Sequence, residues 1–297
     1  MQPLPHGAGL SGRHQKAINK PKIKKMKHTV LIWILSGIFL PAPAQNQKET
    51  RPVDDFTKVT FSAHGVVYIT QGPVRKLELE GDPEVLARVQ TTVRDGRLSI
   101  GEQDGRRNWR WKDNDEITVR ITTPSIEELR VSGSGAIKAG GPWKTGNLKL
   151  AVSGSGSIEI ETEGDNEVDA AVSGSGWLKV AGSAKSFQGA VSGSGRIIMN
   201  MNVYETAAMN ISGSGRIEAT GSAGITTMHV SGSGQVLALD FPSNKSQARI
   251  SGSGDLELNV KHELDVKITG SGSVNYRGNP SLVHTRHVGS GKVRKVE

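Results

Sequence analysis

The sequence predicts an all-β fold: a parallel β-helix of about 20-residue coils behind a short β-rich leading module. Three observations predict it. The tripeptide Gly-Ser-Gly recurs nine times, its spacing is nearly constant, and the residues around it alternate between apolar and polar. The first glycines of the nine copies are Gly133, Gly154, Gly174, Gly193, Gly213, Gly232, Gly252, Gly270 and Gly289. The intervals between them are 21, 20, 19, 20, 19, 20, 18 and 19 residues, so one supersecondary unit is stacked on itself.

Around the second copy the even positions are Leu148, Leu150, Val152, Gly154, Gly156, Ile158 and Ile160, whereas Lys149, Ser153, Ser155, Ser157 and Glu159 are odd. Period-two alternation means strand with one buried face. A helix would carry glycines on every face, at roughly 1 kcal/mol each against alanine. If the phase holds through the corner, the glycines point inward and the serines outward. Gly140-Gly141-Pro142, Gly164-Asp165-Asn166, Gly182-Ser183, Gly221-Ser222 and Asn279-Pro280 mark the turns between corners. Every unit repeats in the same order and direction, so equivalent strands stack in parallel rather than as hairpins. At about 4.8 Å per coil the stack is on the order of 40 Å tall.

Charge and composition narrow the function. The chain has 297 residues, no cysteine and a formal charge of +8. Disulfides, Cys-ligated metals and a lipid-anchored cysteine are therefore excluded. Seven basic residues and no acidic ones fall in residues 1–44, and the remainder carries 30 basic against 29 acidic. The basic excess thus belongs to the leader and predicts no nucleic-acid partner.

In chain order, the basic residues to Lys27, the apolar run Thr29 to Leu40 and the site Ala42-Pro43-Ala44 form a secretory signal cleaved after Ala44. The apolar run is too short to span a bilayer comfortably, so no membrane span is expected after its removal. Met26 is an alternative start to Met1. Residues 45–55 read as a linker, residues 56–125 as a leading β module that caps the solenoid, and residues 126–297 as the repeat. In the module, Val59-Thr60-Phe61, Val66 to Ile69, Leu77-Glu78-Leu79 and Ile117 to Ile121 are strands. Asp82-Pro83 opens a helical turn and Asp95-Gly96 closes a hairpin.

The module and the first coil carry a family resemblance. Val66-Val67-Tyr68-Ile69-Thr70-Gln71-Gly72 is followed by Leu77-Glu78-Leu79-Glu80-Gly81-Asp82 and a divergent Val93 to Ile100. Then come Val119-Arg120-Ile121-Thr122-Thr123-Pro124-Ser125-Ile126 and Leu129-Arg130-Val131-Ser132-Gly133-Ser134-Gly135. Over roughly residues 56–297 the pattern resembles the bacterial putative auto-transporter adhesin, head GIN domain family. The resemblance implies an extracytoplasmic right-handed β-helix with no established catalysis, and it supplies no binding residues.

The candidate chemistry is sparse. The Ser-Gly-Ser-Gly corners open strands rather than helices and lack Gly-x-Ser-x-Gly spacing, so they are structural corners, neither phosphate loops nor nucleophile elbows. His284 and His287, three apart on a strand, face opposite sides and share no metal. Asp113 to Glu116 and Asp165 to Glu167 lack the order of a calcium loop. The outward Lys138, Glu159, Lys179, Arg196, Arg216, Glu218 and Glu257 mix signs without a paired acid and base. Trp109-Arg110-Trp111, in a polar stretch, is the candidate binding segment for a glycan or protein surface, or else a lid on the first coil. The sequence therefore predicts an exported, non-catalytic adhesion or binding module without cofactor or metal. The rival readings are a structural envelope protein and a carbohydrate-active β-helix enzyme.

Overall fold

The computed structural model describes residues 46–102, 115–164 and 166–297. The chain opens with β1 (Gln47–Arg51), β2 (Lys58–Phe61), β3 (Gly65–Gln71) and β4 (Lys76–Gly81). A single helical turn, α1 (Pro83–Leu86), leads to β5 (Val89–Arg94), β6 (Arg97–Glu102) and β7 (Ile117–Thr123). The repeat begins with β8 (Glu128–Gly133) and β9 (Ala136–Lys144), then β10 (Leu148–Gly154) and β11 (Ser157–Glu163). Next come β12 (Glu167–Gly174), β13 (Trp177–Ala184) and β14 (Ser186–Gly193). Four long strands then bend from one coil into the next: β15 (Arg196–Gly213), β16 (Arg216–Gly232), β17 (Gln235–Gly252) and β18 (Asp255–Gly270). The chain ends with β19 (Ser273–Arg277), β20 (Leu282–Val288) and β21 (Lys292–Lys295).

The fold is a parallel β-helix with about 20 residues per turn. Each coil lays one strand before its glycine corner and one after it. The strands before the corner stack in parallel as β8, β10, β12 and β14, continuing through the later halves of β15 to β18 into β20. Those after it stack as β9, β11 and β13, then the first halves of β15 to β18, then β19 and β21. Inward residues form one apolar file per position. Val131, Val152, Val172, Val191, Ile211, Val230, Ile250 and Ile268 are all buried. Burying each such side chain contributes roughly 1.5–3 kcal/mol.

The alternation changes at the corner, contrary to the expectation that both glycines point inward. Ser153, Gly154 and Ser155 are all exposed, and only Gly156 is buried. The first glycine of every corner has φ between +104° and +121°, which turns the chain sharply and brings three residues outside before the inward phase resumes. A Cβ on Gly154 would lie 2.7 Å from the carbonyl oxygen of Gly133 in the coil before it, and one on Gly156 would lie 2.5 Å from that of Gly135.

The N-terminal residues follow another order. β2 and β3 stack directly on β8 and β9, and their other sides pair with β6 and β7. The chain thus lays its second coil first, passes over the end, lays the outermost coil, and only then enters the repeat. On the way it adds antiparallel strands to the outermost coil: β4 on β7 and β5 on β6. Residues 45–55, expected as a linker, contain β1, which pairs antiparallel with β4. Lys48 lies 3.3 Å from Glu78, and Arg51 donates to the carbonyl oxygens of Leu86 and Val89, which holds this edge strand in place. Asp82 caps α1 by accepting from the Glu84 N–H at 2.8 Å, and Val85 and Leu86 are buried. The Asp95-Gly96 turn takes φ of +50° and +69° and joins β5 to β6 as a hairpin.

Candidate ligand-binding face

The outward side of the strands that follow the corner carries one continuous relief. In-register pairing lines up Arg120, Tyr68, Lys138, Glu159 and Lys179, one residue per coil. Each is outward because its neighbours Val119 and Ile121, Val67 and Ile69, Ile137 and Ala139, Ile158 and Ile160, Leu178 and Val180 are buried. Tyr68 stands 42% exposed. Lys179 Nζ donates to Glu159 Oε1 at 2.6 Å, and Arg120 Nη1 donates to Glu80 Oε2 at 2.7 Å.

A depression opens in this face where β9 bulges. Pairing of β9 with β11 shifts between Glu159 and Glu161, and the looped-out residues include Gly140 and Gly141, the latter at φ +74°. Two missing side chains at a register shift leave a hollow of about 410 Å³, bordered by Tyr68, Lys138, Glu159, Glu161 and Lys179. A second hollow of about 220 Å³ continues from it, sharing Glu159 and Lys179 and ending at Trp177 and Arg196. Trp177 is half-buried and occupies the first position after its corner, in register with Ser157 on one side and Arg196 on the other.

Two aromatic rings thus bound a polar strip, separated by three coil intervals, or about 14 Å. The rings offer apolar faces, the lysines offer donors and the carboxylates accept. The strip suits an extended molecule with alternating hydroxyls and apolar C–H faces.

Sequence reasoning placed Lys138, Glu159 and Lys179 outward but did not join them to Tyr68 or Trp177. Trp177 carried a signal, because the equivalent positions hold Ala136, Ser157, Arg196 and Arg216. Tyr68 carried none, because its corner, Ser62-Ala63-His64-Gly65, lacks the repeat motif. The predicted segment Trp109-Arg110-Trp111 lies outside the described residues, as do Asp113, Asn114 and Asp165. His284 and His287 are both exposed on the terminal coil. Among the described residues no three His, Asp or Glu side chains are grouped to hold a metal ion, and no helix is long and apolar enough to cross a membrane.

A family model described as putative auto-transporter adhesin, head GIN domain, matches residues 55–217 and 190–280. The chain belongs to that family. No curated protein matches the sequence significantly. The head GIN fold recurs in solved structures. A putative lipid binding protein from Parabacteroides distasonis shares 22% identity at a TM-score of 0.61, covering 86% of this chain and 98% of that one. A putative adhesin from Parabacteroides merdae shares 19% identity at a TM-score of 0.60, with the same coverage. A putative adhesin from Parabacteroides distasonis shares 18% at 0.61, again with the same coverage. At these identities the likeness is one of fold.

Proposed function

We propose that this head GIN protein is an exported, surface-exposed, non-catalytic binding module that holds a carbohydrate chain along the Tyr68–Trp177 face. The observation that carries this reading is the pair of joined hollows with an aromatic ring at each end and ionic groups between. The adhesin names of the family and of two solved relatives support adhesion, and the N-terminal leader supports export. The Glu159 carboxylate is engaged by Lys179, which suits a ligand-orienting role better than proton transfer. Trp109, Arg110 and Trp111 belong to the same reading as a further proposed contact. Trp109→Ala/Trp111→Ala should then lower attachment while leaving the melting temperature nearly unchanged.

A glycan array probed with the full chain tests the proposal. Wild type is expected to retain a defined set of neutral or mixed glycans, and Tyr68→Ala and Trp177→Ser each to lose them. Serine is the chosen replacement because Ser157 occupies the same register position one coil away. Melting temperatures should stay within a few degrees, because exposed and half-buried changes seldom exceed about 1 kcal/mol. Unchanged glycan retention in both variants would overturn the assignment.

A further inference from the structure

The opposite face carries an outward file with a different character. In-register pairing lines up Arg130, Ala151, Ala171, Ala190, Asn210 and His229 in successive coils. The same file continues as Arg249, Lys267 and Arg286. The last three are exposed, stacked at about 4.8 Å per coil, and make no ion pair with any described residue. Some outward cations elsewhere are compensated, Lys179 by Glu159, Lys245 by Glu263, Arg196 and Arg216 by Glu218, and others such as Lys138, Lys144 and Lys261 have no carboxylate partner. Among the described residues only Arg249, Lys267 and Arg286 stack three uncompensated cations directly on one another. Like charges directly opposite one another on neighbouring strands destabilise a sheet. The ladder therefore costs the fold something that its neighbours avoid.

A trough leads into this ladder. The small side chains of Ala171 and Ala190 leave a hollow of about 410 Å³ that runs past Asn210 to His229, one coil short of Arg249. One bank is a file of serine hydroxyls, Ser173, Ser192, Ser212 and Ser231, which continues beside the cations as Ser251 and Thr269. The other bank carries two acids: Asp169 beside the head of the trough, in register with Lys149, and Asp265 beside the ladder, whose carboxylate accepts from Gln247 at 3.4 Å. No Phe, Tyr or Trp stands in the file or on either bank, so the face lacks the stacking platforms that single-stranded nucleic acid uses.

We infer that this face is a second binding site, for an extended anionic polysaccharide whose chain lies in the alanine trough and whose acidic groups meet Arg249, Lys267 and Arg286. The ladder supplies evenly spaced positive charge, and the hydroxyl bank supplies donors and acceptors for sugar hydroxyls. The site is separate from the Tyr68–Trp177 face and does not depend on it.

The test is binding of the full chain to polygalacturonate across a salt series. Three variants are compared: Arg249→Gln/Lys267→Gln/Arg286→Gln; the charge-matched control Lys144→Gln/Lys185→Gln/Lys261→Gln; and the charge-keeping Arg249→Lys/Arg286→Lys. The basic residues of the leader are common to all and cancel in the comparison. The ladder triple is expected to lose roughly tenfold or more in affinity at low salt and to show a shallower salt dependence, because fewer counterions are displaced. The control and the lysine variant should bind like wild type, and Tyr68→Ala should bind polygalacturonate normally. Equal losses in the ladder triple and the control would overturn the inference. So would equal retention of neutral dextran, or binding of oligonucleotides or anionic vesicles without polygalacturonate.

Discussion

Arg97 and Glu128 grip each other across an intervening strand. Both pair in register with Lys58, one from each side, so their side chains reach over the second coil to meet. The guanidinium donates to both carboxylate oxygens, at 3.0 and 2.8 Å, and Arg97 Nη1 also reaches Thr60 Oγ1 at 3.2 Å. Arg130 adds bonds of 3.2 and 2.9 Å to the same carboxylate. Three coils are thereby clipped together where the chain departs from sequential stacking.

Removing this clip should loosen the N-terminal end. Arg97→Gln is expected to cost about 2 kcal/mol, the range for charge-assisted hydrogen bonds, as read by urea titration. The bond from Arg97 holds the Glu128 carboxyl below the ordinary carboxylate range, against the opposing effect of burial and with help from Arg130. A depressed carboxylate contributes stability that is present above its unfolded value, about 4.3, and is lost as pH falls through its folded value. Wild type should therefore exceed Glu128→Gln in melting temperature at pH 7, with the gap closing below about pH 4. A gap that stays constant to pH 3 would show that the clip contributes nothing through charge.

The corner residues should differ sharply in tolerance. At Gly193 φ is +107°, and a Cβ would stand 2.9 Å from the Gly174 carbonyl oxygen. At Gly195 a Cβ would meet Val172 Cγ1 at 2.5 Å and the Gly176 carbonyl oxygen at 2.7 Å. Gly193→Val and Gly195→Val should each cost about 3 kcal/mol or more, from strain at the first and overpacking at the second. Ser194→Ala, with its hydroxyl exposed, should cost less than about 0.5 kcal/mol. Denaturant titration that ranks Ser194→Ala worst would overturn this account of the corner.

A buried hydroxyl cluster offers a third measurement. Thr226, Ser243 and Ser246 are buried, with Oγ1 of Thr226 at 2.7 Å from Ser246 Oγ and 3.2 Å from Ser243 Oγ, and the two serines 2.8 Å apart. Thr226→Val keeps the shape but takes one hydrogen-bond partner from each of two buried hydroxyls, which keep their bond to each other, and should cost about 1–2 kcal/mol. Thr226→Val/Ser246→Ala should cost less than the sum of the single changes, because the first removal already breaks the network. Additive losses in thermal unfolding would mean the hydroxyls act independently.

Export predicts a defined mature terminus. Mass spectrometry of the envelope or medium fraction should find Gln45 as the first residue, after loss of the Ala42-Pro43-Ala44 segment. Recovery of protein still carrying Trp33 would contradict cleavage at Ala44.

The coil was legible in the sequence because its determinants are local. A glycine that turns the chain at positive φ, flanked by alternating apolar residues, specifies corner, strand and inward face within a few positions. Outward files close to a corner follow by the same logic. His229, Arg249, Lys267 and Arg286 each stand three residues before the first glycine of their corner, so aligning the corners aligns the ladder. The β5–β6 hairpin and the Asp82 cap were equally local.

Tertiary structure alone decided the rest. That the second coil is laid before the outermost one, and that β1 adds to β4 rather than forming a linker, depend on pairing between residues far apart in sequence. Each choice is made by burying an edge and satisfying its backbone groups, which no local pattern encodes. The Tyr68–Trp177 face is of the same kind. It joins a coil without the repeat motif to three coils with it, across a bulge at Gly140-Gly141 that shifts the register. Sequence determined the coil and its inward file, because those are set residue by residue along the chain. Which distant outward side chains share one surface was decided only when coils of 18 to 21 residues had packed their cores and absorbed their differences in length at the far turns.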